Sequence, residues 1–388
     1  MTTIERVDHR LEAADDIAVT IVDTDVHPIP VSAEVLKSYA PNEWVDKIWP
    51  TGNAVTPIPH FYDTPDAAKT MSMRVDAFPP RGGGAGSDPD YAAKQLLVDA
   101  GVSIAILEPM CDAQLPDNEH VLKSTYNDWL ADAWLGATNW HGRWRGSISV
   151  SAQAPDKAGR EIERWAGHRY YSQVLMTPQT RGIPFGSPHF DPIYKAASRN
   201  GLPVATHLMG QTPFELIPMY PVGNPAHWHA FFASWPLLYV SHLMSLVFDG
   251  AFDRHPDLRV VFVEGGFTWA MPVMWRMDRI WEARKHDLPL VRRRPSDYVR
   301  EHVRFTTQPI EEVDVTPFRE YVDMMDMAEN LMFSTDYPHW SYDSPDWAIN
   351  RFPRDQRDRV MRRNAMELYG LPDTVKALPG ERAPIILR

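Results

Sequence analysis

Val22-Asp23-Thr24-Asp25-Val26-His27-Pro28 sets both the architecture and the chemistry to be expected of this chain. The run before it, Ile17–Val22, is apolar and β-branched, as a buried strand requires. Side chains two apart in a strand share a face, so Asp25 and His27 project together from the strand's end. A hard carboxylate oxygen beside an imidazole is the pairing a divalent metal needs. Asp23 is placed on the opposite face, in a capping or hydrogen-bonding role. Pro28 ends the strand.

Outward from that stretch the chain alternates strands with helices. A long Pro- and Gly-rich segment, 28–86, comes first and closes on Pro79-Pro80-Arg81-Gly82-Gly83-Gly84. An insertion of that length is expected to act as a lid or binding loop. Ser87 or Asp88 then caps a helix through Ala100, with Gly101 as its stop, and Val102–Leu107 is a strand. Asn118 is the expected cap of a helix from Glu119 to Leu135, followed by the strand Arg145–Val150. Helix Asp156–Ala166 precedes strand Ser172–Met176, and helix Asp191–Asn200 precedes strand Leu202–His207. Helical pattern fills Ala226–Phe252, and the strand Leu258–Val263 ends in Glu264-Gly265-Gly266. A helix over Trp269–Arg284, the strand His302–Thr306 and a helix over Pro317–Met325 come next. The strand Asn330–Thr335 delivers Asp336, and helix Pro353–Tyr369 completes the series.

This rhythm predicts an α/β fold, a (β/α)8 TIM barrel with a long insertion after its first strand. A doubly wound sheet is disfavoured, because no glycine-rich phosphate fingerprint follows the first strand. Asp25, His27, His207, Glu264 and Asp336 all fall at the C-terminal ends of strands, the face on which barrel active sites are built. The expected division is a disordered or extended N-terminus over 1–16, the barrel over 17–375 with a lid-like insertion at 28–86, and a tail over 376–388.

The chain has 388 residues and a formal net charge of −12, with 51 acidic against 39 basic side chains. Arg292-Arg293-Arg294 is the longest basic run, too short to recommend nucleic acid or anionic membrane as a partner. The single cysteine, Cys111, rules out an intramolecular disulfide framework and suits a reducing, cytoplasmic setting. No Gly-x-Ser-x-Gly elbow supports a serine hydrolase.

Taken in order, several stretches resemble the amidohydrolase superfamily, in the branch containing aminocarboxymuconate semialdehyde decarboxylase and related aromatic-acid decarboxylases. They are Asp23-Thr-Asp-Val-His27, Pro184-Phe-Gly-Ser-Pro-His-Phe-Asp-Pro-Ile-Tyr194 and Gly201-Leu-Pro-Val-Ala-Thr-His207. Gly250-Ala-Phe-Asp-Arg-His-Pro-Asp-Leu-Arg259, Glu264-Gly-Gly-Phe-Thr-Trp269, Phe333-Ser-Thr-Asp-Tyr-Pro-His-Trp340 and Arg363-Asn-Ala-Met-Glu-Leu-Tyr-Gly370 continue the series. The resemblance implies one or two divalent ions per chain (zinc, manganese or iron), held by Asp25, His27, His207 and Asp336. Asp25 stands where the family's first motif usually has histidine, and an oxygen-richer site leans toward manganese or iron. Glu264 occupies the position of the acid/base histidine of the family's decarboxylases, and is expected to carry protons or bind metal. His242 and His339 are further candidates, His242 as a core or helix-capping histidine or else a catalytic or ligating group, and His339 as a pocket residue or ligand. Asp336 is also assigned a catalytic role.

The activity implied is a hydrolase or non-oxidative decarboxylase acting on a small organic acid, amide or lactone. A dinuclear iron-type oxygenase, or its paralogous partner subunit, is a second reading; a non-catalytic metal-stabilised barrel is a third. A homo-oligomer, or a hetero-oligomer with a paralogous barrel, is the expected assembly. Phe61, Tyr62, Trp228 and Trp340 are candidate pocket walls, Trp340 foremost, whereas His227 and His229 are expected at the surface.

Overall fold

The computed structural model describes residues 15–49, 73–111, 115–208, 228–311, 313–385 and 387. The apolar run at its start is divided between two sheets. Strand β1 (Asp16–Ala18) pairs antiparallel with β10 (Thr374–Lys376) in a small ribbon, and β2 (Val22–Val26) begins the main sheet. That sheet continues through β3 (Ile104–Leu107), β4 (Trp144–Ser149), β5 (Tyr171–Met176), β6 (Val204–His207), β7 (Val260–Val263), β8 (Val303–Thr306) and β9 (Leu331–Met332). These eight strands lie in chain order, and every neighbouring pair is parallel.

The ring closes between its first and last members. Thr24 N–H donates to the Phe333 carbonyl at 3.0 Å, and His27 N–H to the Tyr337 carbonyl at 2.7 Å. With helices between the strands, this is the (β/α)8 barrel expected from the alternation.

Strand β9 has two residues rather than the predicted six because side chains take over its ladder. Ser334 N–H donates to the Thr307 hydroxyl and Thr335 N–H to the Asp23 carboxylate, at 3.2 and 2.9 Å. The backbone beyond Met332 is thus held by polar side chains and is free to leave the strand path.

Two apolar layers support the barrel. Ile21, Val26, Ala105, Leu107 and Ile148 face the surrounding helices. Val22, Ile104, Leu175, Ala205, Val261 and Met332 fill the interior, where Ala365 on the last helix closes the floor. Each Val, Leu, Ile or Met among them contributes roughly 1.5–3 kcal/mol when fully buried. The polar groups are consequently pushed toward the opposite, C-terminal mouth.

Some local expectations are revised. Asp88 caps its helix as predicted, accepting from Asp90 N–H and Tyr91 N–H. Asn118 caps nothing: its helix runs Pro116–Ala133, and its amide donates instead to the Lys47 carbonyl at 3.0 Å. Segment 28–86 contains helices Ala33–Lys37 and Asn42–Ile48, each too short to declare a 3.6-residue period. Residues 50–72 of that insertion, including Phe61 and Tyr62, lie outside the described residues, as do His227 and the side chain of Trp228. Among the described residues no helix is long and apolar enough to cross a membrane.

Candidate metal centre

A bulge in β2 separates Asp23 from Asp25. Asp23 is in register with Ala105 and Val26 with Leu107, so β2 carries one residue more than β3 over this interval. Ala105 and Leu107 face the helices, and Asp23 and Val26 go with them. Asp25 and His27 are left facing the mouth. Strict alternation would have put Asp23 and Asp25 on one face; the extra residue gives them the opposite faces expected.

Asp23 is a clamp. Its carboxylate accepts from Asp25 N–H at 3.2 Å, Thr335 N–H at 2.9 Å and the Thr335 hydroxyl at 2.6 Å, tying β2 to the end of β9. Burial pushes its carboxyl up to about 7 despite these bonds.

At the mouth, imidazole nitrogens and carboxylate oxygens converge. His27 Nδ1 lies 3.1 Å from the Glu108 carbonyl, which fixes Nδ1–H as the donor and leaves Nε2 a bare acceptor. That nitrogen faces Asp25 Oδ1 at 3.0 Å and Asp336 Oδ1 at 3.1 Å. His207 repeats the pattern. Its Nδ1 is 2.5 Å from the Leu208 carbonyl, and its Nε2 lies 3.7 Å from Asp25 Oδ1 and 3.0 Å from Glu264 Oε2. Both Asp25 oxygens and both Nε2 atoms are buried with no hydrogen-bond partner among the described residues. Four sealed acceptors aimed at one another are costly unless something positive sits among them. The ligand atoms of Asp25, His27 and His207 lie within 4.8 Å of one another, as do those of His27, Asp336 and His339. This donor set, carboxylate oxygen with imidazole nitrogen, fits a divalent cation.

The electrostatics agree. Burial disfavours an imidazolium at His27, but Asp25 and Asp336 outweigh it and push the ring well above its ordinary range. The position demands a positive charge, whether proton or metal. His207, dominated by burial, is held down to about 4 and stays neutral. Burial raises the Asp336 carboxyl, yet His339 and His27 overcome it and keep Asp336 well below the carboxylate range. Burial, joined by the Asp336 and Asp25 charges, pushes Glu264 well up.

Asp336 and Glu264 both sit in the left-handed backbone region, at φ 62 and φ 53. Non-glycine residues there cost of order 1–3 kcal/mol, and such strain gathers at functional sites. Surrounding bonds hold it in place. Asp336 N–H reaches the Asp25 carbonyl at 3.1 Å, while its Oδ2 accepts from Ser341 at 2.7 Å and Gln308 at 3.1 Å. Its Oδ1 also meets His339 Nδ1 at 2.5 Å. Glu264 N–H donates to the Thr306 hydroxyl at 3.0 Å. Beside it, the Tyr239 hydroxyl donates to the Val263 carbonyl at 2.5 Å and accepts from Leu208 N–H at 3.1 Å, joining the ends of β6 and β7.

The family profile described as Amidohydrolase matches residues 22–371, from the first barrel strand to just past the last helix. The chain belongs to the amidohydrolase family. Solved structures share the fold at low identity. A 5-carboxyvanillate decarboxylase from Sphingomonas paucimobilis is 18% identical with a TM-score of 0.65, covering 92% of this chain and 100% of its own. An amidohydrolase from Mycobacterium avium subsp. paratuberculosis K-10 is 16% identical with a TM-score of 0.66, covering 92% and 99%. A 5-carboxyvanillate decarboxylase from Novosphingobium aromaticivorans, complexed with manganese and 4-hydroxy-3-methoxy-5-nitrobenzoic acid, is 19% identical with a TM-score of 0.63, covering 90% and 96%.

In this amidohydrolase the structure assembles Asp25, His27, His207, Glu264, Asp336 and His339, but it does not bring in His242. The His242 ring is stacked on Phe185 at 3.8 Å, with Nδ1 accepting from Phe185 N–H at 3.2 Å and Nε2 donating to the Pro178 carbonyl at 2.9 Å. Both nitrogens are spent on loop backbone, so the ring is neither an available ligand nor an available base. Trp340 is 53% exposed and packs on Phe232, at the rim rather than among the ligands. His229 is exposed, as expected.

His242 instead makes a stability prediction. Burial lowers it from 6.5 to about 4, and protonation would displace the Phe185 N–H from Nδ1. Between those two values the unfolded chain binds a proton that the folded chain refuses, so stability falls as pH falls. Going from pH 7 to pH 5 should cost about 2 kcal/mol through this group. The difference in urea-unfolding stability between these pH values should shrink by that amount in His242→Gln; an unchanged difference refutes the role.

Glu108 was missed by sequence reasoning. It follows β3 at the mouth and is fully buried, and its carbonyl orients His27. The available signal was an acidic residue closing the apolar run Ile104–Leu107, the same position that marked Glu264 after β7.

Proposed function

We propose that this protein is a metal-dependent enzyme acting on a small organic acid, with non-oxidative decarboxylation as the favoured reaction. The observation carrying this reading is the set of four buried, unpartnered acceptor atoms on Asp25, His27 and His207, with Asp336 beside them. Asp25, His27, His207 and Asp336 would hold one divalent cation. When bound, such a cation polarises a substrate oxygen and neutralises charge that develops during reaction. The aromatic-acid decarboxylases that share the fold favour loss of carbon dioxide over the alternatives.

The remaining groups handle position and protons. Glu264 reaches the site at the end of β7, 3.0 Å from His207, and its surroundings favour the protonated carboxyl. In a decarboxylation the carbon–carboxylate bond breaks, carbon dioxide leaves, and the electron pair stays on carbon. The Glu264 carboxyl then gives its proton to that carbon and is left ionised, to be reprotonated from solvent. His339, one-fifth exposed, buttresses Asp336 from the solvent side. Hydrolysis of an amide or lactone is the second reading, in which the carboxyl at 264 serves as a general base once it is ionised.

Two measurements test the proposal. Elemental analysis of anaerobically purified protein should find about one divalent metal per chain, and a panel of hydroxylated aromatic acids should release carbon dioxide. Absence of bound metal sinks the reading. Glu264→Gln should retain the metal while lowering turnover roughly 100-fold. Full activity in that variant removes Glu264 from the proton's path.

A further inference from the structure

The barrel interior beneath the mouth contains a chain of polar groups that the four-ligand centre does not use. The Tyr369 hydroxyl, on the last helix, donates to Gln173 Oε1 at 2.8 Å. The Gln173 amide donates to the Ser147 hydroxyl at 2.9 Å and to Glu108 Oε1 at 2.6 Å. With its oxygen engaged by Tyr369, Gln173 can present only N–H to Glu108. Glu108 Oε2 ends the chain, fully buried and without a hydrogen-bond partner among the described residues.

Three states of that carboxyl can be compared. Ionised and alone, it is a buried charge supported by one neutral donor, an arrangement costing several kcal/mol. Protonated on Oε2, it carries a buried O–H with no acceptor; protonated on Oε1, it sets donor against the Gln173 N–H. Ionised beside a cation, both oxygens are satisfied at once. The largest charge effects on Glu108 come from Asp25 and His27, which places it on the same side of the barrel mouth as the proposed cation. Its backbone carbonyl, at 3.1 Å, already sets the tautomer that frees His27 Nε2.

We propose that Glu108 is a further protein donor to the metal centre, supplying Oε2 to the cation held by Asp25, His27, His207 and Asp336. Gln173, backed by Ser147 and Tyr369, is the positioning residue that turns this oxygen toward the ion. The inference rests on the metal-centre reading above and deepens it. Three carboxylates and two neutral imidazoles make an oxygen-rich site, which suits manganese or iron(II) better than zinc.

The test is metal binding, with no substrate required. Chelator-stripped wild type and Glu108→Gln are titrated with Mn2+, following free Mn2+ by electron paramagnetic resonance, and separately with Zn2+. The glutamine keeps the backbone carbonyl and an oxygen for Gln173, so His27 stays oriented. Expected is at least a tenfold weaker Kd for Mn2+ in the variant, a smaller loss for Zn2+, and a changed spectrum of bound Mn2+. Equal affinities and spectra overturn the assignment while leaving the four-ligand centre intact. A wild type that binds neither metal defeats the metal-centre reading itself. Should Glu108→Gln fail to fold, anomalous diffraction from Mn2+-loaded wild type decides. An Oε2–metal distance of about 2.0–2.6 Å supports the proposal, and one beyond about 3.5 Å overturns it.

Discussion

Asp25→Asn should abolish cation binding and turnover while leaving the metal-free protein more stable than wild type. Asp25 contributes both unpartnered oxygens at the centre and is the residue shared by His27 and His207. Its amide replacement offers one weak ligand oxygen and no charge, and activity should drop about 10⁴-fold, the scale expected when metal-assisted catalysis is lost. Stability moves the other way. Asp25 is completely buried, and its charge helps push Glu108 and Glu264 upward. Removing one of several crowded carboxylates relieves repulsion that a cation or a protonated His27 otherwise offsets, by about 1–2 kcal/mol. Added Mn2+ should raise the melting temperature of wild type and leave the variant unmoved. A variant that binds Mn2+ as tightly as wild type removes Asp25 from the ligand set.

Gly265→Ala should impair folding severely. A Cβ at this position would lie 2.1 Å from the Tyr239 ring, a contact that ring cannot relieve by rotation. Tyr239 is fully buried, and its hydroxyl joins the Val263 carbonyl and the Leu208 N–H next to His207 and Glu264. Overpacking together with loss of those bonds should cost about 4 kcal/mol. Tyr239→Phe, which keeps the ring and removes only the hydroxyl, should cost about 2 kcal/mol. Gly167→Ala is the control, with nothing within 4 Å of the added methyl. Urea unfolding should rank the three in that order. A Gly265→Ala protein as stable as the control would mean the Tyr239 packing is not as described.

Much of the architecture was legible because it rests on period and punctuation. Helix and strand patterns alternate along the chain, and Gly101, Gly201 and Gly370 stand just past helices with positive φ. His207 and Glu264 were readable because each ends a short, largely apolar strand, where a polar residue is placed at the mouth. Residue pairing was less visible. The one-residue bulge in β2 depends on its register with β3, eighty residues away. Strand β9 stops early because Asp23 and Thr307 capture its backbone. His242 looked available because its partners, the Phe185 N–H and Pro178 carbonyl, belong to a loop that docks only in the folded chain.

The amino-acid sequence by itself determined the barrel and the end of it that carries chemistry, since hydrophobic periodicity and the direction of parallel strands are local properties read along one chain. Tertiary structure alone decided which polar groups stay unsatisfied. A histidine or glutamate is left with a lone pair to offer when folding buries it and withholds a donor among the described residues, as at His27, His207 and Glu108. It becomes scaffold when the backbone supplies both partners, as at His242. Hydrogen-bond satisfaction depends on all neighbours in space at once, and no stretch of sequence contains them together.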